Sequence, residues 1–385
     1  MTETIRAGAG LSTTPDTASA ARAAATQAAE LLAGTSADLA FLFCSPHHAR
    51  EVPAAVAAVH EVLRPGTLVG CNAIWIVGNA REVEEEPAVS VWAAHLPRAE
   101  IVPFAVDFER TPDGDTFLGW PDEVSPGATA IAIADPYTFP ADEWLSRLNE
   151  SHPGLLVIGG LASGGAAPGE TRLISGEEVR WSGCVGVLVG GGVEVRALVS
   201  QGCKPVGAPF AVTSAERNVL LELGGQPPLD RLKETFVASA ESDRQAMQRG
   251  LHVGRVVDEY KTEFVRGDFL VRNVLGADER TGAIAVGDQV GIGETVQFHV
   301  RDAASADDDL REMVQTVRKP AGALLFTCNG RGTRLFGVAD HDAAIVSGEF
   351  GPALAGFFAA GELGPIGGRN FLHGFTASLA LFYER

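Results

Sequence analysis

Polar residues with chemical potential concentrate near the C-terminus. The segment "LFTCNGRGTRLFG" (325–337) places a thiol, an amide and a guanidinium at Cys328, Asn329 and Arg331, on backbone that glycine allows to bend tightly. An apolar strand precedes them, so these groups should emerge at a sheet end, where Arg331 can bind a carboxylate through two parallel hydrogen bonds. Asn329 can donate and accept at once. The alternative is a structural turn in which Arg331 pairs with a surface acid.

A carboxyl group and an imidazole follow closer to the end of the chain. Glu362 closes the apolar stretch "AGFFAAGELGP", and a carboxylate buried there needs a partner: Arg331, a backbone nest, a metal or a ligand's ammonium group. The alternative is an exposed Glu362 at the strand end. In "NFLHGFTASLALF", strand alternation puts His373 and Phe375 on one face and Thr376 on the other. This pattern indicates a strand that forms a wall between core and cavity.

Together these groups suit a small zwitterionic or carboxylated ligand. Arg331 would bind the carboxylate and Glu362 the ammonium group, while an amide and an imidazole take the remaining polar atoms. Two phenylalanines would exclude water and the thiol would line the cavity. The predicted ligand-binding residues are Cys328, Asn329, Arg331, Phe357, Glu362, His373 and Phe375.

Two further pairs of charged residues are candidates for supporting positions behind that site. Asp268 and Arg272 lie in "GDFLVRN", and Arg301 and Asp302 lie in "VQFHVRD". Structural ion pairs are an equal alternative for both.

No cofactor fingerprint or metal-ligand spacing is complete. "IGGLASGGAAPGE" lacks the G-x-G-x-x-G order and the lysine of a phosphate loop, and no G-x-S-x-G occurs. The five cysteines are scattered without a C-x-x-C pair. We therefore predict no cofactor, no metal and no assigned catalytic residue. The alternative is an enzyme in which His373 activates Cys328 as a nucleophile.

Composition excludes several classes of partner. The net charge of -19 would repel nucleic acid and an anionic bilayer alike, and nowhere do about 18 uncharged apolar residues run together. An odd number of scattered cysteines suits a reducing compartment. We expect a cytoplasmic protein, and the Arg- and Ala-rich composition indicates a bacterial genome.

The pattern of elements predicts an α+β fold of two domains, each built on mixed or antiparallel sheets flanked by helices, with a layered α/β/β/α sandwich as the alternative. A helix is predicted over 16–32, another over 229–249 and a third over 304–317, with strands predominating elsewhere. Gly and Pro punctuate "LGGQPPLDRL". We place the domain boundary there, giving an N-terminal helix and tail (1–37) and domains at 38–225 and 226–385.

The chain also resembles the FIST family, named for F-box and intracellular signal transduction proteins. The resemblance is carried by ordered segments that include "DLAFLFCS", "IADPYTFP", "VIGGLASGG", "CVGVLVGGGVEV", "GDFLVRNVLG", "LLFTCNGRG" and "LAGFFAAGELGP". It implies a sensory module for small ligands, amino acids being the proposed class. It also implies a separate signalling partner, because no output segment follows the second FIST-like portion. A protein-interaction scaffold that dimerises through edge strands is the remaining alternative.

Overall fold

The structure, a computed structural model, describes residues 4–112 and 114–385, which pack into two compact units. Unit 1 comprises Met1–Val199 and Leu310–Arg385, and unit 2 comprises Ser200–Asp309. The segment read as a domain boundary lies inside unit 2, where Gly224 and Gly225 have φ of 56° and 75° and turn the chain into a helix. The division of the sequence at residue 225 stays a prediction, but it is not where the compact units divide.

The first half of the chain contributes fourteen described strands and three α-helices. They are β1 (Arg6–Ser12), α1 (Thr17–Leu32), β2 (Leu39–Cys44), α2 (Val52–Leu63), β3 (Thr67–Asn72), β4 (Ile76–Gly78), β5 (Arg81–Val83), β6 (Val89–His95), β7 (Ala99–Thr111), β8 (Gly114–Leu118), β9 (Thr129–Ala134), α3 (Ala141–Ser151), β10 (Leu156–Leu161), β11 (Leu173–Ser175), β12 (Glu178–Arg180), β13 (Cys184–Gly191) and β14 (Val193–Gln201), with a 3₁₀ turn at Pro46–His48.

The second half of the chain contributes eleven further described strands and five α-helices. Its elements are β15 (Cys203–Glu216), β16 (Val219–Leu223), α4 (Pro228–Ala238), α5 (Glu241–Arg249), β17 (Leu251–Val256), β18 (Phe269–Asp278), β19 (Ala283–Val286), β20 (Thr295–Arg301), α6 (Ala303–Gln315), β21 (Gly322–Cys328), α7 (Thr333–Phe336), α8 (His341–Phe350), β22 (Leu354–Ala359), β23 (Glu362–Ile366), β24 (Arg369–His373) and β25 (Thr376–Glu384).

Unit 1 is built from three mixed sheets. Their strand orders are β1-β6-β2-β3-β11-β12, β24-β23-β10-β9-β13-β7-β8 and β14-β25-β21-β22-β4-β5. Each contains a parallel pair: β2 with β3, β9 with β10, and β21 with β22. Strands of the two FIST-like portions pair with each other. β4 of the first portion pairs with β22 of the second, and β23 of the second pairs with β10 of the first.

One central core lies between the three sheets. It includes Phe41, Trp92, Ile158, Phe326 and Phe382, which come from all three and are all fully buried. The outer faces are covered by helices: α1 and α2 on the first sheet, α3 on the second and α8 on the third. Helices thus cover the outer faces of sheets that share one core, and the layered α/β/β/α arrangement stays a prediction.

Unit 2 is a closed antiparallel barrel, in the order β15-β16-β19-β18-β17-β20, with α4 and α5 packed against it. The single helix predicted over 229–249 is two helices, because Ser239 and Ala240 have extended ψ of 155° and 157° between them. The α+β prediction is confirmed, since strand exceeds helix and the sheets are mixed in one unit and antiparallel in the other.

Local signals account for the first helix and mislead at the last strand. α1 begins after Asp16, whose side chain caps it by accepting a hydrogen bond from the Ser19 N–H. The stretch "LHGFTASLALF" was predicted as one strand, but Phe375 has a φ of 68° and the chain breaks there into β24 and β25, which belong to different sheets. In the described part of the chain no helix is both long and apolar enough to cross a bilayer.

Candidate functional site

The carboxyl ends of β21 and β22 form one edge of the third sheet. Because the two strands are parallel, Cys328 lies opposite Ala359, and the Asn329 N–H donates to the Ala359 carbonyl at 2.9 Å. The chain then turns at Gly332, which has φ 60° and ψ -146°, a conformation that only glycine adopts readily. Crevices at the carboxyl ends of parallel strands are common binding positions, so this edge is a physically reasonable place for a site.

Arg331 is fully buried and forms a bidentate ion pair with Asp342. Its Nε and Nη2 donate to the two carboxylate oxygens at 2.6 and 2.8 Å. Thr327 Oγ1 also donates to Asp342, at 2.7 Å, and His341 Nδ1 lies 2.9 Å from it. Burial by itself would raise the pKa of Asp342, but the Arg331 charge and these hydrogen bonds outweigh it and hold the pKa well below its usual range.

This pair corrects the predicted role of Arg331 in one respect. The two parallel bonds that we expected a ligand carboxylate to receive go to Asp342, which follows eleven residues later at the start of α8. A guanidinium carries five N–H groups, however, and the pair uses two of them. Nη1 is buried without a hydrogen-bond partner among the described residues. The far edge of Arg331 therefore remains available to a further acceptor.

Glu362 is also fully buried, at the first residue of β23. Its Oε2 accepts hydrogen bonds from the Thr376 N–H at 3.1 Å and from Thr376 Oγ1 at 2.8 Å. Its Oε1 makes no hydrogen bond to a nitrogen or oxygen atom within 4–112 and 114–385. Burial raises the pKa of Glu362 to about 8, against the lowering effects of the Thr376 hydrogen bonds, of the Arg331 charge and of a hydrogen bond with the Cys328 thiol. The structure thus brings Cys328, Arg331 and Glu362 within interaction range.

Glu82, on β5, completes the cluster and was not predicted. Its Oε1 accepts a hydrogen bond from the Ala343 N–H at the start of α8, at 3.0 Å, and its Oε2 is buried without a partner in the described chain. Burial, then the Asp342 charge, raise the pKa of Glu82 to about 8, while Arg331 lowers it. Glu82 precedes three more glutamates in "EVEEEP", so the local sequence indicates a solvated turn.

The other predicted residues of unit 1 have different settings. His373 is directly opposite Glu362 in the β23–β24 pair, and its Nε2 is 3.0 Å from the Gly364 carbonyl. Phe357 is fully buried in the central core, its ring centroid 5.2 Å from that of Phe43. Phe375 lies outside either strand and is half-buried, so the alternation assumed for it does not hold.

The four predicted supporting residues all belong to unit 2 and make local contacts there. Asp268 binds Lys261 and accepts from the Val265 N–H, and Arg272 Nε is 3.4 Å from Asp288. Asp302 accepts from the Ser305 N–H at the start of α6, and Arg301 lies on β20. The supporting role of these four residues stays a prediction.

Comparison with known proteins identifies the family. The FIST N domain model matches residues 38–226 and the FIST C domain model matches residues 228–365. The chain therefore belongs to the FIST family, whose domains are associated with signal transduction.

Two mycobacterial proteins are similar over nearly the whole chain. "Uncharacterized protein Rv0628c" of Mycobacterium tuberculosis (strain ATCC 25618 / H37Rv) is 47% identical over 386 residues, covering 99% of this chain and 100% of that protein. "Uncharacterized protein Mb0898c" of Mycobacterium bovis (strain ATCC BAA-935 / AF2122/97) is 47% identical over 388 residues, covering 99% of each chain. These similarities support the assignment of the chain to the FIST family.

Proposed function

We propose that this protein is a ligand-binding module of signal transduction that senses amino acids or similar small carboxylated metabolites through the Arg331–Glu362 cluster. The observation that carries the proposal is the pair of buried atoms, Arg331 Nη1 and Glu362 Oε1, that make no hydrogen bond to a nitrogen or oxygen atom of the described residues. Leaving a buried polar group unsatisfied costs about 1–3 kcal/mol, and more for a charged one. A fold that keeps two such atoms in one cluster is suited to an occupant that satisfies both.

The chemistry of a zwitterion matches these two groups. A ligand carboxylate would accept from the free edge of the Arg331 guanidinium, and a ligand ammonium would donate to Glu362 Oε1. The ammonium would also favour the ionised form of Glu362, whose pKa burial raises to about 8. Cys328 and Asn329 would border the ligand on the β21 side. The bound form would then act on a separate signalling protein.

The test is calorimetric titration of the protein with a panel of amino acids and the corresponding keto acids. Glu362→Gln keeps the size of the side chain and removes the charge, and Glu349→Gln makes the same change at an exposed position of α8. We expect Glu362→Gln to weaken amino-acid binding at least about tenfold, because it removes a charge-assisted hydrogen bond. Keto acids should bind both variants alike. Equal amino-acid affinity in the two variants, or no binding by the wild type, would refute the proposal.

Arg331→Ala is a poorer probe, since it would leave the Asp342 carboxylate buried and unpaired. Lost binding in that variant would not separate ligand contact from unfolding.

A Cys-dependent enzyme is the second candidate, favoured by the position of Cys328. The Cys328 thiol lies close enough to Arg331 to affect its pKa, so a cation that stabilises a thiolate is at hand. Because burial raises the pKa of Glu362 to about 8, this carboxyl would accept a proton from the thiol, in place of the His373 base considered from the sequence, only above that pH. Reactivity of Cys328 toward a thiol reagent tests this candidate.

A further inference from the structure

A short exposed segment lies against the buried Arg331–Asp342 pair. It comprises residues 333–339, which are α7 and the loop leading to α8, and we call it the flap. The Phe336 ring centroid is 5.1 Å from the guanidinium carbon of Arg331, and the ring stacks on the His341 imidazole with centroids 3.3 Å apart. His341 and Arg331 both bind Asp342, so Phe336 packs on two of the groups around this carboxylate.

Exposed groups hold the flap in place. The Glu84 carboxylate accepts hydrogen bonds from the Thr333 N–H, at 2.9 Å, and from the Thr333 hydroxyl. Arg334 donates to the Asn329 carbonyl at 3.2 Å and lies over the Trp75 ring, 4.2 Å from its centroid. All residues of the flap are exposed or half-buried. Segments with exposed hydrogen bonds and little buried apolar surface open at a low free-energy cost, and lids over binding sites are drawn from them.

Positive backbone φ angles bracket the flap. The φ angle is 60° at Gly332, directly before it, 69° at Gly337, within it, and 61° at Asp340, directly after it. Lids swing about a few loop positions that absorb a change of backbone torsion, and glycine allows the widest range of torsions. The flap thus has glycine at two of the positions about which a lid would swing.

A ligand can reach the cluster only if some part of the surface moves. Arg331 and Glu362 are fully buried, and Cys328 is 8% exposed. The flap contacts this region twice, through Phe336 on Arg331 and through Arg334 on the carbonyl of the residue after Cys328. Swinging the flap outward would remove the Phe336 ring from the guanidinium and uncover the end of β21.

We propose, resting on the function proposed above, that the flap is a gate to the Arg331–Glu362 cluster, in which Phe336 closes the entrance and Glu84 holds the gate shut. Opening gives up a cation–π contact between Phe336 and Arg331, and a ligand carboxylate on Arg331 replaces it with a charge-assisted hydrogen bond. The free and the ligand-bound protein would therefore differ in the position of the flap.

Hydrogen exchange, measured by mass spectrometry on the free protein, tests the role of Glu84. Peptides that cover the flap should exchange faster than peptides of α8. Glu84→Gln should speed exchange of the flap at least about threefold, because it weakens two charge-assisted hydrogen bonds, and should leave α8 unchanged. Glu86→Gln makes the same change at an exposed glutamate two residues away and should match the wild type. Equal exchange of the flap in the two variants would overturn this role.

The rate at which iodoacetamide alkylates Cys328 tests whether the flap controls access. Phe336→Ala and Glu84→Gln should each raise this rate at least about threefold, because the reagent reacts after the flap has opened. Val338→Ala truncates an exposed side chain of the same flap and should leave the rate unchanged. Alkylation at the wild-type rate in both Phe336→Ala and Glu84→Gln would overturn the proposal.

The four other cysteines distinguish opening of the flap from unfolding of the protein. They are at most 1% exposed, so global unfolding would speed their alkylation together with that of Cys328. If Phe336→Ala speeds the alkylation of all five, Glu84→Gln decides the outcome.

Both measurements use the protein without ligand, which separates the gate from the proposed function. If exchange and alkylation change as expected but no amino acid binds in calorimetry, the proposed function is refuted and the gate stands. If amino acids bind and neither variant changes exchange or alkylation, the gate is wrong and the proposed function stands.

Discussion

The buried glutamates should make the protein less stable as the pH rises, and Glu362→Gln should remove a defined part of that loss. Burial raises the pKa of both Glu82 and Glu362 to about 8, from an ordinary value of 4.5. In the unfolded chain both ionise above about pH 4.5, whereas the folded protein keeps them protonated up to about pH 8. Unfolding between these limits releases protons, so the free energy of unfolding falls across this window and levels off above it.

The magnitude follows from the two pKa values. Between a pKa of 4.5 in the unfolded chain and about 8 in the folded protein, Glu362 contributes a slope close to 1.4 kcal/mol per pH unit, which amounts to about 2–3 kcal/mol between pH 5.5 and 7.5. Glu82 adds a loss of the same sign. Glutamine carries no titrating proton. The Glu362→Gln variant should consequently lose about 2–3 kcal/mol less than the wild type.

Urea unfolding at pH 5.5 and 7.5, at one ionic strength, measures this difference. Other titrating groups are common to both proteins and cancel in the comparison. Glu349→Gln, at the exposed position, should reproduce the wild-type dependence. If wild type and Glu362→Gln lose the same stability within about 0.5 kcal/mol, Glu362 is ionised in the folded protein and the reasoning fails.

Three further predictions concern the same edge of the sheet. Arg331→Met should destabilise the protein by about 3–5 kcal/mol, because it leaves Asp342 buried and charged. The Arg331→Met/Asp342→Leu double variant should recover most of that loss in urea unfolding. Equal stability of the single and double variants would contradict this. Cys328 should be the first of the five cysteines to react with a thiol reagent in the folded protein, since it is 8% exposed and the other four are at most 1% exposed. Peptide mass mapping measures the order of labelling. Earlier labelling of another cysteine would refute this prediction. Gly332→Ala should destabilise more than Gly337→Ala, which should cost about 1 kcal/mol. Both glycines have positive φ, but at Gly332 the added Cβ would also meet the buried Phe358 ring at 2.9 Å and the Glu84 carboxylate at 2.5 Å, whereas at Gly337 it would meet nothing within 4 Å. Equal losses in urea unfolding would argue against the close contact.

Local patterns predicted individual elements well and pairings poorly. Asp16 marks the start of α1, and apolar runs such as "DLAFLFC" mark buried strands, because these signals depend on neighbours in sequence. The sheet that each strand joins depends on distant segments. Nothing local in the last 15 residues shows that β24 and β25 enter different sheets, since the break depends on the backbone of Phe375.

The residues of the candidate site were likewise predicted only in part from the sequence. A buried Glu362 in an apolar stretch needs a partner, and the sequence alone led to Arg331 as one possibility. Asp342 escaped prediction because it lies across a turn and a short helix, and at a helix start an acid is ordinarily explained by the helix dipole. Glu82 escaped because it approaches α8 from 261 residues away, a contact that no periodicity records.

Because strands of the two family portions pair with each other, expressing either portion alone should expose strand edges that are paired in the whole protein. An expression product that stops at residue 226 would lack β23, and its β10 edge would present unpaired backbone groups; a product that starts at residue 228 would lack β4 and leave β22 in the same state. Such open edges favour aggregation. Truncation at the family-model limits should thus yield insoluble fragments, and co-production of both pieces should rescue them.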